Sequence, residues 1–81
     1  MTMFTIHARS RVLERLGLAE RHAADCLLRL WNAARLAEPG DFLAFGAGEY
    51  PDREYRVSVD GQWMLVRSTL TGKFMTLLKR P

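Results

Sequence analysis

Lysine is scarce in this 81-residue chain: of its twelve basic residues only Lys73 and Lys79 are lysine, and the other ten are arginine. Arginine is the side chain for forked recognition of phosphate or carboxylate, where lysine offers only a point charge. A GC-rich coding sequence enriches arginine in any protein, so this bias and the net charge of +3 permit a nucleic-acid partner without requiring one. Cysteine is nearly absent. A lone Cys26 excludes an internal disulfide and fits a reducing compartment. No apolar run is long enough to span a bilayer, and the start MTMFTIHARS lacks the apolar stretch of a secretory leader. The expectation is a cytoplasmic protein of a bacterial host, with no membrane partner. At this length the chain forms a single domain over residues 1–81, with a core near the lower limit for folding without staples.

Two glycine turns organise the last third. Asp60-Gly61 supplies positive φ at a hairpin tip, and a two-residue loop there pairs Val57 with Met64, Arg56 with Leu65 and Tyr55 with Val66. Thr71-Gly72, read the same way, pairs Arg67 with Thr76 and Val66 with Leu77. Alternation then gives one face of Tyr55, Val57, Val59, Met64, Val66, Leu70, Met75 and Leu77, which is the expected core. The other face carries Arg56, Ser58, Arg67, Thr69 and Thr76 together with Trp63, Leu65, Phe74 and Leu78. That is too apolar for a merely solvated surface, so a covering segment, a homodimer contact or a ligand is expected on it. A slip of one residue in either turn would exchange the faces.

Upstream, residues 6–16 read as a short helix with Thr5 as N-cap, Val12, Leu13 and Leu16 as its apolar stripe and Gly17 as its stop. His7, Arg11 and Arg15 recur every four residues along its polar side. Residues 18–37 read as a longer helix with a broad stripe of Ala23, Ala24, Leu27, Leu28, Leu30, Trp31 and Ala34, the lid of the sheet. Glu38-Pro39-Gly40-Asp41 ends it, residues 41–45 read as an edge strand, and a Gly-rich loop leads to the strand at 54–59. The fold class is α+β: two N-terminal helices packed on one face of a three- to four-stranded antiparallel meander sheet.

Familiar chemical motifs are missing. Gly46-Ala47-Gly48 has no following Gly-Lys-Ser/Thr, which argues against a nucleotide cradle. His22 and Cys26 stand four apart on one helix, yet two ligands do not make a zinc site, so no metal and no cofactor are expected. What remains is His7 with Arg11, Arg15, Arg56, Arg67 and Thr76. Such a set could serve RNA cleavage by the ribose 2′-hydroxyl: an imidazole titrating near neutrality, guanidinia for the extra charge on phosphorus, and a hydroxyl to position an oxygen. The same residues could equally form surface ion pairs with Glu14, Asp52 or Glu54.

His7-Ala8-x-x-Arg11-x-x-Glu14-Arg15-x-Gly17 resembles a helix of small phage and mobile-element proteins related to the barnase, colicin-type and RelE-like ribonuclease toxins. Gly72-Lys73-Phe74-Met75-Thr76-Leu77-Leu78 is similar to their terminal strand. The resemblance implies RNA-contacting or catalytic roles at His7, Arg11 or Arg15 and Thr76, with Arg67 on the neighbouring strand; His7 and Thr76 would be the catalytic pair only in a ribonuclease. It covers the two ends of the chain and leaves the middle without a motif.

A ribonuclease generally needs both a proton acceptor and a donor, and only one of the pair is in view. The preferred expectation is therefore a small phage-type binding protein, anti-CRISPR-like, that inhibits or modulates a nucleic-acid-handling host machine. Its contacts would come from Arg11, Arg15, Arg56, Trp63, Arg67, Thr69 and Phe74, since arginine and aromatic side chains dominate interface energy. The partner would be a host protein or nucleoprotein effector, with RNA or DNA as further partners. The alternatives are a metal-independent ribonuclease toxin and a non-catalytic nucleic-acid-binding accessory module.

Overall fold

The computed structural model describes Glu14 and residues 20–81. The short helix read at 6–16, with His7, Arg11 and Arg15, lies outside the described residues except for Glu14. The described chain runs α1 (Glu20–Ala33), β1 (Arg35–Leu36), α2 (Pro39–Phe45), β2 (Arg53–Val57), β3 (Trp63–Ser68) and β4 (Phe74–Lys79). The strands form one antiparallel sheet in the order β1-β2-β3-β4, so the class is α+β.

The first hairpin has the expected register, Val57 opposite Met64 and Tyr55 opposite Val66. Its tip is wider than a two-residue loop. Ser58 accepts from the Gly61 amide at 2.9 Å and its own amide donates to the Trp63 carbonyl at 2.9 Å. Side chains close the rest: the Ser58 hydroxyl donates to Asp60 Oδ1 at 2.6 Å and accepts from the Trp63 amide at 3.1 Å. Only Gly61 takes positive φ, at 74°. A four-residue loop centred on the same bond preserves the pairing.

The second hairpin departs from the expected pairing. Ser68 and Lys73 close a loop of four residues, with the Ser68 carbonyl accepting from the Gly72 amide and the Ser68 hydroxyl accepting from the amides of Leu70 and Thr71. Gly72 does have positive φ, but as the last loop residue and not at its centre. A bulge follows: Arg67 is opposite Phe74, whereas Val66 is opposite Thr76, leaving Met75 as the extra residue. Beyond the bulge every side chain has changed sides relative to the expected register, so Thr76 and Leu78 join Val66 and Met64 while Leu77 joins Leu65.

Both faces of the sheet carry a core. Ala23, Leu27 and Trp31 of α1 gather with Leu65, Phe74 and Leu77. This is the arginine-bearing face, on which a covering segment, a homodimer contact or a ligand was expected; the cover is the long helix, so α1 is not the lid of the Tyr55 face. Phe45, Tyr55, Val57, Met64 and Val66 form the second cluster, with Phe42 and Ala44 of α2 against it. The edge strand expected at 41–45 is thus a helix, and the helix expected to reach residue 37 stops at Ala33. Glu38-Pro39-Gly40-Asp41 is a start signal: Pro39 sits in the first turn, where its missing N–H costs nothing, and Asp41 accepts from the Glu38 amide at 2.8 Å. Gly46 ends α2 at φ 64°, its amide bonding the Leu43 carbonyl and the Ala47 amide the Phe42 carbonyl.

Candidate functional site

Arg56 lies on β2 with its guanidinium carbon 4.3 Å from the centre of the Trp31 ring. It donates to the Trp31 carbonyl at 3.0 Å and, through Nε, to Glu54 at 2.6 Å. The last turn of α1 has no basic residue of its own, so β2 supplies the cation that its C-terminal carbonyls attract. Arg67 lies beside this pair, 5.6 Å from the Trp31 ring and 5.0 Å from the Phe74 ring, with Nε donating to the Gly72 carbonyl at 2.6 Å. Trp31 and Phe74 meet edge to face at 5.4 Å. These two arginines fasten the helix to the sheet and close the second loop.

Of the remaining expected contact residues, Phe74 is fully buried and Trp63 is half-buried near Lys79, whose Nζ is 5.8 Å from the indole. The Thr69 amide and hydroxyl both donate to the Asp52 carbonyl, at 3.0 and 2.9 Å. Thr76 is on the other side of the sheet from Arg67 and lines a pocket under residues 46–50. The pairing of Thr76 with Arg67, on which the RNA-cleaving arrangement rested, is absent because the Met75 bulge separates them. His7, Arg11 and Arg15 fall outside the described residues.

A concavity of about 570 Å³ opens between α1 and the tip of the first hairpin. Leu30, Ala33 and Val59 give it apolar walls, and His22, Asp25, Arg29 and Asp60 bring charges of both signs. The pattern on α1 places these residues: 22, 26, 29, 30 and 33 follow helical spacing along one side, next to the stripe that enters the core. Val59 stands out at the hairpin tip with 82 % of its surface exposed. Asp60 is held below the ordinary carboxylate pKa by the Ser58 hydroxyl and then by the Gln62 amide. It is a fixed negative charge. The sequence pattern offered His22 and Cys26 only as a pair too small to make a zinc site. The wide hairpin tip, which brings Val59 and Asp60 to them, was not visible in a two-residue turn.

At the far edge, Arg35 and Asp41 form a two-point ion pair at 2.8 and 3.0 Å. The Arg35 guanidinium, and then the Glu38 amide, lower the Asp41 carboxyl to about 2, while the same contact raises Arg35. Among the described residues no group of three or more His, Cys, Asp or Glu side chains could hold a metal ion, and no helix is long and apolar enough to cross a membrane. No protein-family model, curated protein or solved structure matches the chain.

Proposed function

We propose that this chain is a binding protein that inhibits or modulates a nucleic-acid-handling machine of a bacterial host by docking on one of its protein components. The observation that carries this reading is the concavity between α1 and the first hairpin, with apolar walls and a rim of mixed sign. Asp25 and Asp60 would repel a phosphate backbone, and Arg29 alone does not offset them. A protein partner that inserts an apolar side chain and answers the rim with its own charges meets no such penalty. Arg56 and Arg67, the residues best suited to phosphate, are already bonded within the fold.

The test is capture of a host nucleoprotein on the immobilised chain, with and without nuclease, compared with Ala33→Glu and Val59→Glu. Both positions are exposed, so the variants should unfold at the wild-type temperature. Capture that survives nuclease and is lost in both variants supports protein docking through the concavity. Capture that disappears with nuclease, or that both variants retain, overturns it.

A further inference from the structure

The Met75 bulge that parts Thr76 from Arg67 delivers Thr76 to a different arginine. On the α2 side of the sheet, beyond the end of that short helix, Arg53, Tyr55, Val66, Thr76 and Leu78 form the floor of a pocket of about 220 Å³, and Gly46, Ala47, Gly48 and Tyr50 form its roof. We propose that this pocket binds a small oxyanion attached to an apolar group, a phosphate monoester or a carboxylate.

Three donors there are incompletely used. Arg53 Nε is buried and makes no hydrogen bond among the described residues; an Asp52 oxygen stands 3.9 Å away, too far to accept one, on a side chain half exposed to water. A buried N–H without an acceptor is costly, and a ligand oxygen would relieve it. The Tyr55 hydroxyl accepts from the Tyr50 amide at 3.0 Å, which leaves its own hydrogen to donate. The Thr76 hydroxyl has no partner among the described residues. The guanidinium carbon of Arg53 lies 4.6 Å over the Tyr50 ring, so its plane is held in place before a ligand arrives. Gly48 allows that ring to come close: a Cβ there would stand 3.3 Å from Tyr50 Cε2. Val66 and Leu78 offer the apolar wall. The volume is below that of a drug-sized site, which restricts the ligand to a single ring or short chain bearing the anion.

The site is independent of the docking concavity and shares no residue with it. Titration of the full chain with phenyl phosphate, benzoate and, as an uncharged control, benzyl alcohol tests it by amide NMR. The expected result is saturable shifts at Gly46, Ala47, Gly48, Tyr50 and Thr76 with at least one anion, none with the alcohol, and none at Ala33 or Val59. The tighter of the two anions identifies phosphate or carboxylate as the natural group. Arg53→Gln should weaken binding about tenfold or more, and Thr76→Val, nearly isosteric, by a few fold, roughly what one hydrogen bond supplies. Failure of both anions to saturate, equal binding of the alcohol, or unchanged affinity in a folded Arg53→Gln or Thr76→Val protein overturns the proposal.

Discussion

On the α1 side of the sheet Glu54, Arg56 and Arg67 share the interface with Trp31 and Phe74; on the other side the same strands present Tyr55, Val57, Met64 and Val66 to α2. Charge is accommodated on the first side because a guanidinium is flat: it stacks on an aromatic ring with one surface and spends its edge on carbonyls and a carboxylate. The second side carries charge at the two ends of α2: Arg35 pairs with Asp41 at its start, and where the 46–50 loop takes over Arg53 keeps an orphaned N–H. The more polar face is the better satisfied one. Arginine in a sheet pattern therefore marks a ligand surface only once the aromatic residues of the neighbouring helix have been counted.

The sharpest way to break this contrast is Trp31→Ala, which removes the ring from both arginines and from Phe74. A cost of about 3–5 kcal/mol is expected in urea unfolding, as for other buried large aromatic residues. Tyr55→Phe on the opposite face should cost only about 1 kcal/mol, one hydrogen bond. Similar values for the two would deny the Trp31 cluster its special place.

Arg56→Gln should come next, at about 1.5–3 kcal/mol, since it loses the bond to the Trp31 carbonyl as well as the stack. Arg56→Lys should recover only part of this, because an ammonium cannot stack and fork together; full recovery would mean that charge alone matters. The half-exposed pair with Glu54 adds little, so Glu54→Gln is expected within about 1 kcal/mol of wild type.

Two glycines of α2 and its C-terminal cap should respond with opposite signs. Gly46→Ala forces a side chain into left-handed backbone and should cost about 1 kcal/mol, whereas Gly40→Ala, inside the helix with open space around it, should stabilise by about 0.5–1 kcal/mol. Thermal unfolding of the two variants side by side checks this, and a pair of like sign would contradict the assigned helix ends.

The smallest effect concerns acid. Asp41 titrates at about 2 in the folded chain and near 4 when unfolded, so its contribution is complete above pH 4 and is lost as pH falls toward 2. Asp60, also lowered, acts in the same direction. In Asp41→Asn the decline in stability between pH 4 and 2 should be shallower than in wild type, as followed by urea midpoints. An equal slope would remove the Arg35 contact from the account.

Asp60-Gly61 made the β2–β3 register readable because a turn centred on that bond gives the same partners whether the loop has two residues or four. Thr71-Gly72 misled for the complementary reason: Gly72 has the expected conformation, but Ser68 caps a loop centred one residue earlier, and no local pattern announces a bulge at Met75. The helix at Pro39–Phe45 was written in plain view, as an acid, a proline and a second acid, and was hidden by treating Pro39-Gly40 only as a breaker. The stripe of α1 was legible; which face it covers was not, since the bulge at Met75 moves Leu77 onto the arginine face beside Leu65 and Phe74. Arg53, between the Gly-rich loop and the strand expected at 54–59, carried no sequence signal beyond its alternation with Tyr55.

Leu77 and Leu78 are identical neighbours, so the final strand can be turned over without baring a leucine on either side. Hydrophobicity therefore casts no vote on its parity, and the count of residues between Gly72 and Thr76 decides alone where the threonine hydroxyl emerges. A one-residue deletion there would move that hydroxyl from the tyrosines to the tryptophan with little loss of greasy cover, a cheap route by which descendants of this chain could exchange one chemistry for another.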